Sequence, residues 1–350
     1  MLDMEKIKKI TVKASGEYDV LIGEGLLDFS GELIKNVASP NKIALICDDV
    51  VDYLYSSKVI RSLERANFSV VKFVFKNGEK SKNLNTYAQI LSFLAQNKLT
   101  RSDLIVALGG GVVGDLAGFV ASTYLRGIKY IQMPTTLLAQ IDSSVGGKTA
   151  VDLDEGKNLV GAFYQPSLVL CDITALYTLP QKVFNDGMGE VAKYAVLDEK
   201  VYSLVSGDVC DLFKLVYLCV DYKRKIVEKD EFEGGLRKLL NLGHTLAHGI
   251  EKLSGYTVAH GKAVALGLIQ IMKSALKRNF IDQQTFDGIM NVINKCVGEV
   301  VLEYSLEDIC ANATTDKKIN GDELTLIMPY GIGDCRPVKI KIDDLWGYLA

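Results

Sequence analysis

The chain predicts an α/β fold: a parallel-sheet domain followed by a mainly α-helical domain, divided near Thr178-Leu179-Pro180. Three observations carry this. Short apolar runs alternate with helical stretches of roughly 12 to 16 residues through the first half, as parallel strands and crossover helices do. After Gln181 the pattern changes to long helical periods that continue to about Ala313. The length of 350 residues exceeds what one core usually fills, so two domains with a cleft between them are expected, residues 1–180 and 181–350.

Lys8 to Val12 and Tyr18 to Ile22 alternate polar and apolar residues with period two, which suits an antiparallel pair. Lys42 to Cys47 reads as a buried strand, with a helix over roughly Val50 to Arg65 behind it. Ser69 to Phe75 (strand), Asn83 to Asn97 (helix) and Asp103 to Leu108 (strand) repeat the unit. A helix from Gly111 to about Ser122 and a strand ending near Met133 complete the readable part. In the late region Thr325 to Met328 is the one strand candidate. There is no internal repeat and no low-complexity tract.

Composition narrows the function. The 40 Lys+Arg against 43 Asp+Glu give a net charge of −3, and no basic run suggests nucleic acid. Apolar runs such as Leu104 to Leu108 are strand-length, far short of the ~20 residues of a membrane span. Met1 to Lys6 is charged and carries no apolar signal core, so export is not expected. The seven cysteines are scattered, with no Cys-x-x-Cys pair, which fits reduced thiols in a cytoplasm. A cytosolic enzyme is the expectation.

Gly109, Gly111 and Gly114 satisfy G-x-G-x-x-G between an apolar strand and a helix. Such a loop lets backbone amides at a helix N-terminus approach a pyrophosphate, and it makes the first domain Rossmann-like. Two departures stand beside it: the loop follows a late strand, and Gln132-Met133-Pro134-Thr135 supplies no ribose-binding acid. A tight strand-to-helix turn without ligand is the plain alternative. Gly146-Gly147-Lys148-Thr149 ends like a P-loop, but Asp142 occupies the place of its first glycine. An acid there would face the phosphates, which argues against a kinase or ATPase.

All three histidines, His244, His248 and His260, fall within 17 residues. His244 and His248 stand i, i+4 on a helical pattern, the spacing of helical zinc pairs, and Gly187-Met188-Gly189-Glu190 supplies an acid. Two nitrogens and one carboxylate oxygen would make a catalytic metal site with an open position; satisfied core histidines are the alternative. Lys193, Lys223, Arg237, Lys317 and Lys318 add positive charge around the same segments. Arg237 and Asn241 are i, i+4 on what reads as a helix leading into His244, so all three could share one face.

Several stretches together resemble the 3-dehydroquinate synthase family, of the sugar phosphate cyclase superfamily, over nearly the whole chain. They are Gly109 to Leu116, Met133 to Thr149 (MPTTLLAQIDSSVGGKT), Gly156-Lys157-Asn158, Gly187 to Tyr194 (GMGEVAKY) and Leu240 to Glu251 (LNLGHTLAHGIE). The resemblance implies that family's fold and its reaction, 3-deoxy-D-arabino-heptulosonate 7-phosphate to 3-dehydroquinate plus phosphate, in the shikimate pathway. It further implies catalytic NAD, one zinc or cobalt ion, and a homodimer. The order of steps would be transient oxidation, phosphate elimination, re-reduction, ring opening and intramolecular aldol closure.

Residue by residue, the resemblance implies Glu190, His244 and His260 as metal ligands and leaves His248 as a proton-handling group. Lys148, Lys193 and Asn158 join His248 in catalytic roles. Asp142, Lys223, Arg237 and Asn241 would contact substrate, with one or both of Lys317 and Lys318, and Arg126 would reach the phosphate from a neighbouring subunit. NAD would meet Asp48, Glu79 and Lys82 of the 77–82 loop, Gly111, Val112, Val113, Gly114, Asp115, Thr135, Thr136, Lys148, Lys157 and Thr178. The chain departs from many relatives at Lys262, where an acid is frequent, and at Gly189, where alanine is common. Three rivals remain. A metal-dependent polyol dehydrogenase would release NADH and would not need cations for two anionic groups. Another sugar phosphate cyclase would use a heptulose 7-phosphate or glucose 6-phosphate, which lack the carboxylate that Arg237 and Asn241 suit. An inactive NAD-binding protein is argued against by the intact ligand set.

Overall fold

The computed structural model describes residues 6–209, 211–313 and 322–350. Two compact units emerge: the residues up to Leu179 with Lys223–Glu231, and Pro180–Tyr222 with Phe232–Ala350.

The first unit is built on a seven-stranded sheet in the order β1-β2-β9-β6-β5-β3-β4. Its strands are β1 (Lys8–Lys13), β2 (Glu17–Gly23), β3 (Lys42–Asp48), β4 (Ser69–Phe75), β5 (Leu104–Gly109), β6 (Lys129–Pro134) and β9 (Leu168–Asp172). The pair β1–β2 is antiparallel, and every other pairing is parallel. β7 (Lys148–Leu153) and β8 (Gly156–Phe163) form a separate antiparallel hairpin. Strands β7, β8 and β9 lie outside the sequence expectation: two are short, and the glycines of the hairpin break the apolar pattern.

Alternation along the central strands sorts two cores onto the two sheet faces. Ile43, Leu45 and Cys47 of β3 pack with α1 (Ser30–Lys35), the short α2 (Asp49–Val51) and α3 (Ser57–Arg65). Ala44 and Ile46 face the other way, against α4 (Leu84–Gln96) and α5 (Gly111–Thr123). Each such fully buried aliphatic side chain contributes about 1.5–3 kcal/mol, so this layer arrangement is strongly specified. Asn83 starts α4 by accepting the Thr86 amide, a side-chain cap at the predicted helix start.

The second unit is mainly helical: α6 (Gln181–Leu197), α7 (Glu199–Ser206), most of α8 (Leu212–Lys229), α9 (His244–Leu253), α10 (His260–Lys277), α11 (Gln283–Val297), α12 (Leu306–Ala313) and α13 (Leu345–Leu349). It also holds a full antiparallel hairpin, β10 (Glu323–Gly331) with β11 (Asp334–Lys341). The single late strand expected at Thr325 to Met328 is therefore one arm of a pair. β11 escapes pattern reading because Pro337 and its charged residues look like loop, yet they occupy an exposed edge where proline is tolerated. No helix among the described residues is long and apolar enough to cross a membrane.

Candidate active site

The second unit gathers Glu190, His244 and His260, whose ligand atoms all lie within 4.8 Å of one another. Two glycines make this possible. A Cβ on Gly189 of α6 would fall 2.1 Å from the Gly261 carbonyl oxygen of α10, so the helices meet backbone to backbone. An alanine at 189 would require a wider crossing here. Glu190, next to one glycine, is thereby brought to His260, next to the other. Its Oε1 lies 3.3 Å from His244 Nε2 and 3.1 Å from His260 Nε2.

The outer ring nitrogens decide what these contacts mean. His244 Nδ1 is 3.2 Å from the Leu242 carbonyl, and His260 Nδ1 is 3.3 Å from Glu251 Oε1. Both partners only accept, so each Nδ1 carries a hydrogen and each ring turns its Nε2 toward Glu190. Without metal, a proton on His260 Nε2 bridges to Glu190 Oε1; a divalent ion would replace that proton on binding. Separations of 3.1 and 3.3 Å match the edge of a tetrahedron with bonds of about 2.0 Å, or roughly 3.3 Å. The donor set therefore fits one divalent ion and leaves a position open. Burial disfavours a charged His260, but Glu190 and Glu251 outweigh it and push its pKa to about 10. Burial likewise opposes ionised Glu190, yet Lys193 and the imidazoles hold it well below the usual carboxylate range.

His248 follows on α9, its ring centroid 5.9 Å from that of His244 and outside the three-donor group. The i, i+4 histidine pair therefore does not supply both nitrogens; the second comes from α10. Lys193, 1 % exposed, sets its ammonium against Glu190 Oε2. Arg237 is as deeply buried. The helix expected across Arg237 and Asn241 is instead a 3₁₀ turn, Leu236–Asn241, separated from α9 by Gly243 with φ 80°. At three residues per turn, i and i+4 do not share a face, so the shared face expected for Arg237, Asn241 and His244 is not formed. Asn241 donates to Glu233 at 2.7 Å. Glu251 is a residue that sequence reasoning missed; its signal was the spacing His244, His248, Glu251, one helix face at i, i+4, i+7.

In the first unit β3 lies beside both β4 and β5, so chain connections diverge between β3 and β5. Ligands of open α/β sheets sit at such a switch point, beyond the strand C-termini. Asp48 ends β3 and the glycine loop ends β5, so a loop late in sequence is central in space. A Cβ on Gly109 would lie 2.4 Å from Val113, and one on Gly114 2.7 Å from Gln132 Oε1; packing alone demands these glycines. Gly111 opens α5, and Val112 is half-buried beside it. Val113 is in the core and offers only its backbone. Asp48 accepts the Val50 and Val51 amides, Thr135 donates its amide to Gly109, and Thr136 accepts the Ala139 amide. Thr178 contacts the buried Tyr55 hydroxyl.

Lys82 is buried and joins three segments: its ammonium lies 2.6 Å from Asp115 Oδ2 and donates to Asn158 Oδ1 at 2.5 Å. Burial opposes that charge, but Asp115 and Glu79 keep the Lys82 pKa raised. The lysine therefore organises the loop beside α5, with Glu79 exposed and Lys157 half-buried nearby in sequence to Asn158. Asn158 adopts φ 58° and donates its amide to Asp152. A π-turn over Ala139–Ser143 aims Asp142 at Lys223, whose ammonium meets both its carbonyl (2.6 Å) and carboxylate. Gly146 and Gly147 have φ 98° and 67°, and Lys148 then opens strand β7, exposed. A P-loop lysine would stand at a helix start, so that reading fails. Arg126 is exposed, with φ 68° following Leu125 at φ 50°. Lys317 and Lys318 lie outside the described residues.

Two family models match end to end: 3-dehydroquinate synthase N-terminal over residues 72–186 and 3-dehydroquinate synthase C-terminal over 187–319. A 3-dehydroquinate synthase of Streptococcus thermophilus is 44% identical over 342 residues, 95% of this chain and 96% of that protein. The chain belongs to the 3-dehydroquinate synthase family. Another 3-dehydroquinate synthase, of Clostridium acetobutylicum, is 42% identical over 349 residues, 95% of this chain and 96% of its own. Among solved structures, a 2-deoxy-scyllo-inosose synthase complexed with carbaglucose-6-phosphate, NAD+ and Co2+ superposes with TM-score 0.85. It is 25% identical and covers 98% of this chain and 99% of its own. The family's expected fold, a parallel-sheet part followed by a helical part, is the one observed.

Proposed function

We propose that the chain converts 3-deoxy-D-arabino-heptulosonate 7-phosphate to 3-dehydroquinate and phosphate, with NAD and one zinc or cobalt ion. The observation that carries this reading is the Glu190, His244 and His260 cluster with both Nε2 atoms turned inward, in a chain similar end to end to 3-dehydroquinate synthases. When bound, the ion polarises substrate hydroxyls and NAD takes up and then returns one hydride, so the redox change cancels over a turnover. Residues 1–180 carry the nucleotide groups, at the switch-point loops of Asp48, Gly111 to Asp115, Thr135 and Thr136. Residues 181–350 carry the metal ligands and most substrate groups.

Lys148, Lys193, Lys223 and Arg237 hold the phosphate and carboxylate by charge-assisted hydrogen bonds. Asn158, Asp142 and Asn241 orient hydroxyls, and His248 moves a proton beside the metal ligands. Fixing one substrate geometry through several steps is worth far more than any single contact. Arg126 reaches a neighbouring subunit's phosphate in a homodimer; its exposed, left-handed backbone supports a strained, outward-directed arginine. The enzyme works in the cytoplasm. Stoichiometry tests the redox part: phosphate should accumulate far beyond the NAD supplied, with no matching NADH. One NADH formed per substrate consumed would instead make the protein a polyol dehydrogenase.

A further inference from the structure

Glu251 sits in the last turn of α9, seven residues after His244, and is 4 % exposed. Its Oε1 lies 3.3 Å from His260 Nδ1. His260 opens α10, and its ring lies between Glu190 on one side and Glu251 on the other. Its backbone is held from another side, because the Gly261 amide donates to Asp186 Oδ1 at 2.6 Å. Nothing in that backbone contact sets the ring.

We propose that Glu251 is a positioning residue of the metal centre, turning the His260 ring so that Nε2 faces Glu190. A buried carboxylate accepts the Nδ1 hydrogen, fixes the tautomer and strengthens the opposite nitrogen as a ligand. His244 receives the same service from a neutral acceptor, the Leu242 carbonyl. The two imidazoles are thus mounted unequally, and the His260 bond to metal depends on a side chain that can be changed. This rests on the reading of Glu190, His244 and His260 as the metal ligands.

The test is Co2+ binding to metal-stripped protein, measured by chelator competition and by visible absorption, with thermal unfolding of the stripped protein as the structural control. Glu251→Gln keeps the shape and removes the charge. It should weaken Co2+ binding by about 10- to 100-fold and shift the absorption bands, while the stripped protein unfolds as wild type does. Glu251→Ala should bind at least as weakly. Wild-type affinity and spectrum in Glu251→Gln overturns the proposal, whether or not the alanine variant folds. Failure of the wild type itself to bind one Co2+ would overturn the metal reading as well, so the two failures are distinguishable.

Discussion

His260→Ala protein is expected to lose its metal and its cyclase activity while retaining its fold. The side chain is 31% exposed, and the core-facing residues of α10 begin beyond it, so little packing is removed. What is removed is one of three donors. Structural zinc sites with four ligands gain about 10–16 kcal/mol on binding, roughly 2.5–4 kcal/mol per ligand. Loss of one ligand then weakens binding on the order of 100- to 1,000-fold. Elemental analysis after gel filtration reads the outcome directly, with circular dichroism for the fold. Full occupancy in the variant would remove His260 from the ligand set.

Arg237→Lys should be nearly as damaging to turnover, by a different route. Arg237 is 1 % exposed, and lysine cannot reproduce the planar fork that binds a carboxylate with two parallel hydrogen bonds. Losing a charge-assisted contact in a closed site costs about 2–5 kcal/mol, or roughly 30- to several-thousand-fold in rate. Metal content and NAD binding should stay near wild type, because Arg237 is not among the metal donors and belongs to the second unit. Near-wild-type turnover of the heptulosonate by this variant would take the carboxylate away from Arg237.

In the sheet of the first unit, β3, β5 and β6 were legible as buried apolar runs, whereas β9, equally buried but only five residues long, was missed. Tertiary context overrode pattern at Arg237, where a local 3₁₀ turn and Gly243 replace the continuous helix. β8 and β11 stayed hidden for a similar reason: exposed hairpin arms keep too few apolar residues to declare themselves. The histidine cluster announced a metal by composition alone, yet periodicity pointed to His248 and only the family resemblance to His260. Partnerships across long sequence gaps, such as Lys82 with Asp115 and Asn158, leave no local trace at all. Glu251 did leave one, on the same helix face as His244.

Which sugar phosphate the protein cyclises is the most direct test. Purified protein with NAD and Co2+ or Zn2+ is given, in parallel, 3-deoxy-D-arabino-heptulosonate 7-phosphate, a heptulose 7-phosphate without the carboxylate, and glucose 6-phosphate, and released phosphate is followed. Rapid release from the heptulosonate, with little or none from the other two, is the expected result. Equal or faster release from a sugar phosphate lacking the carboxylate would contradict the dehydroquinate assignment and make this chain another cyclase.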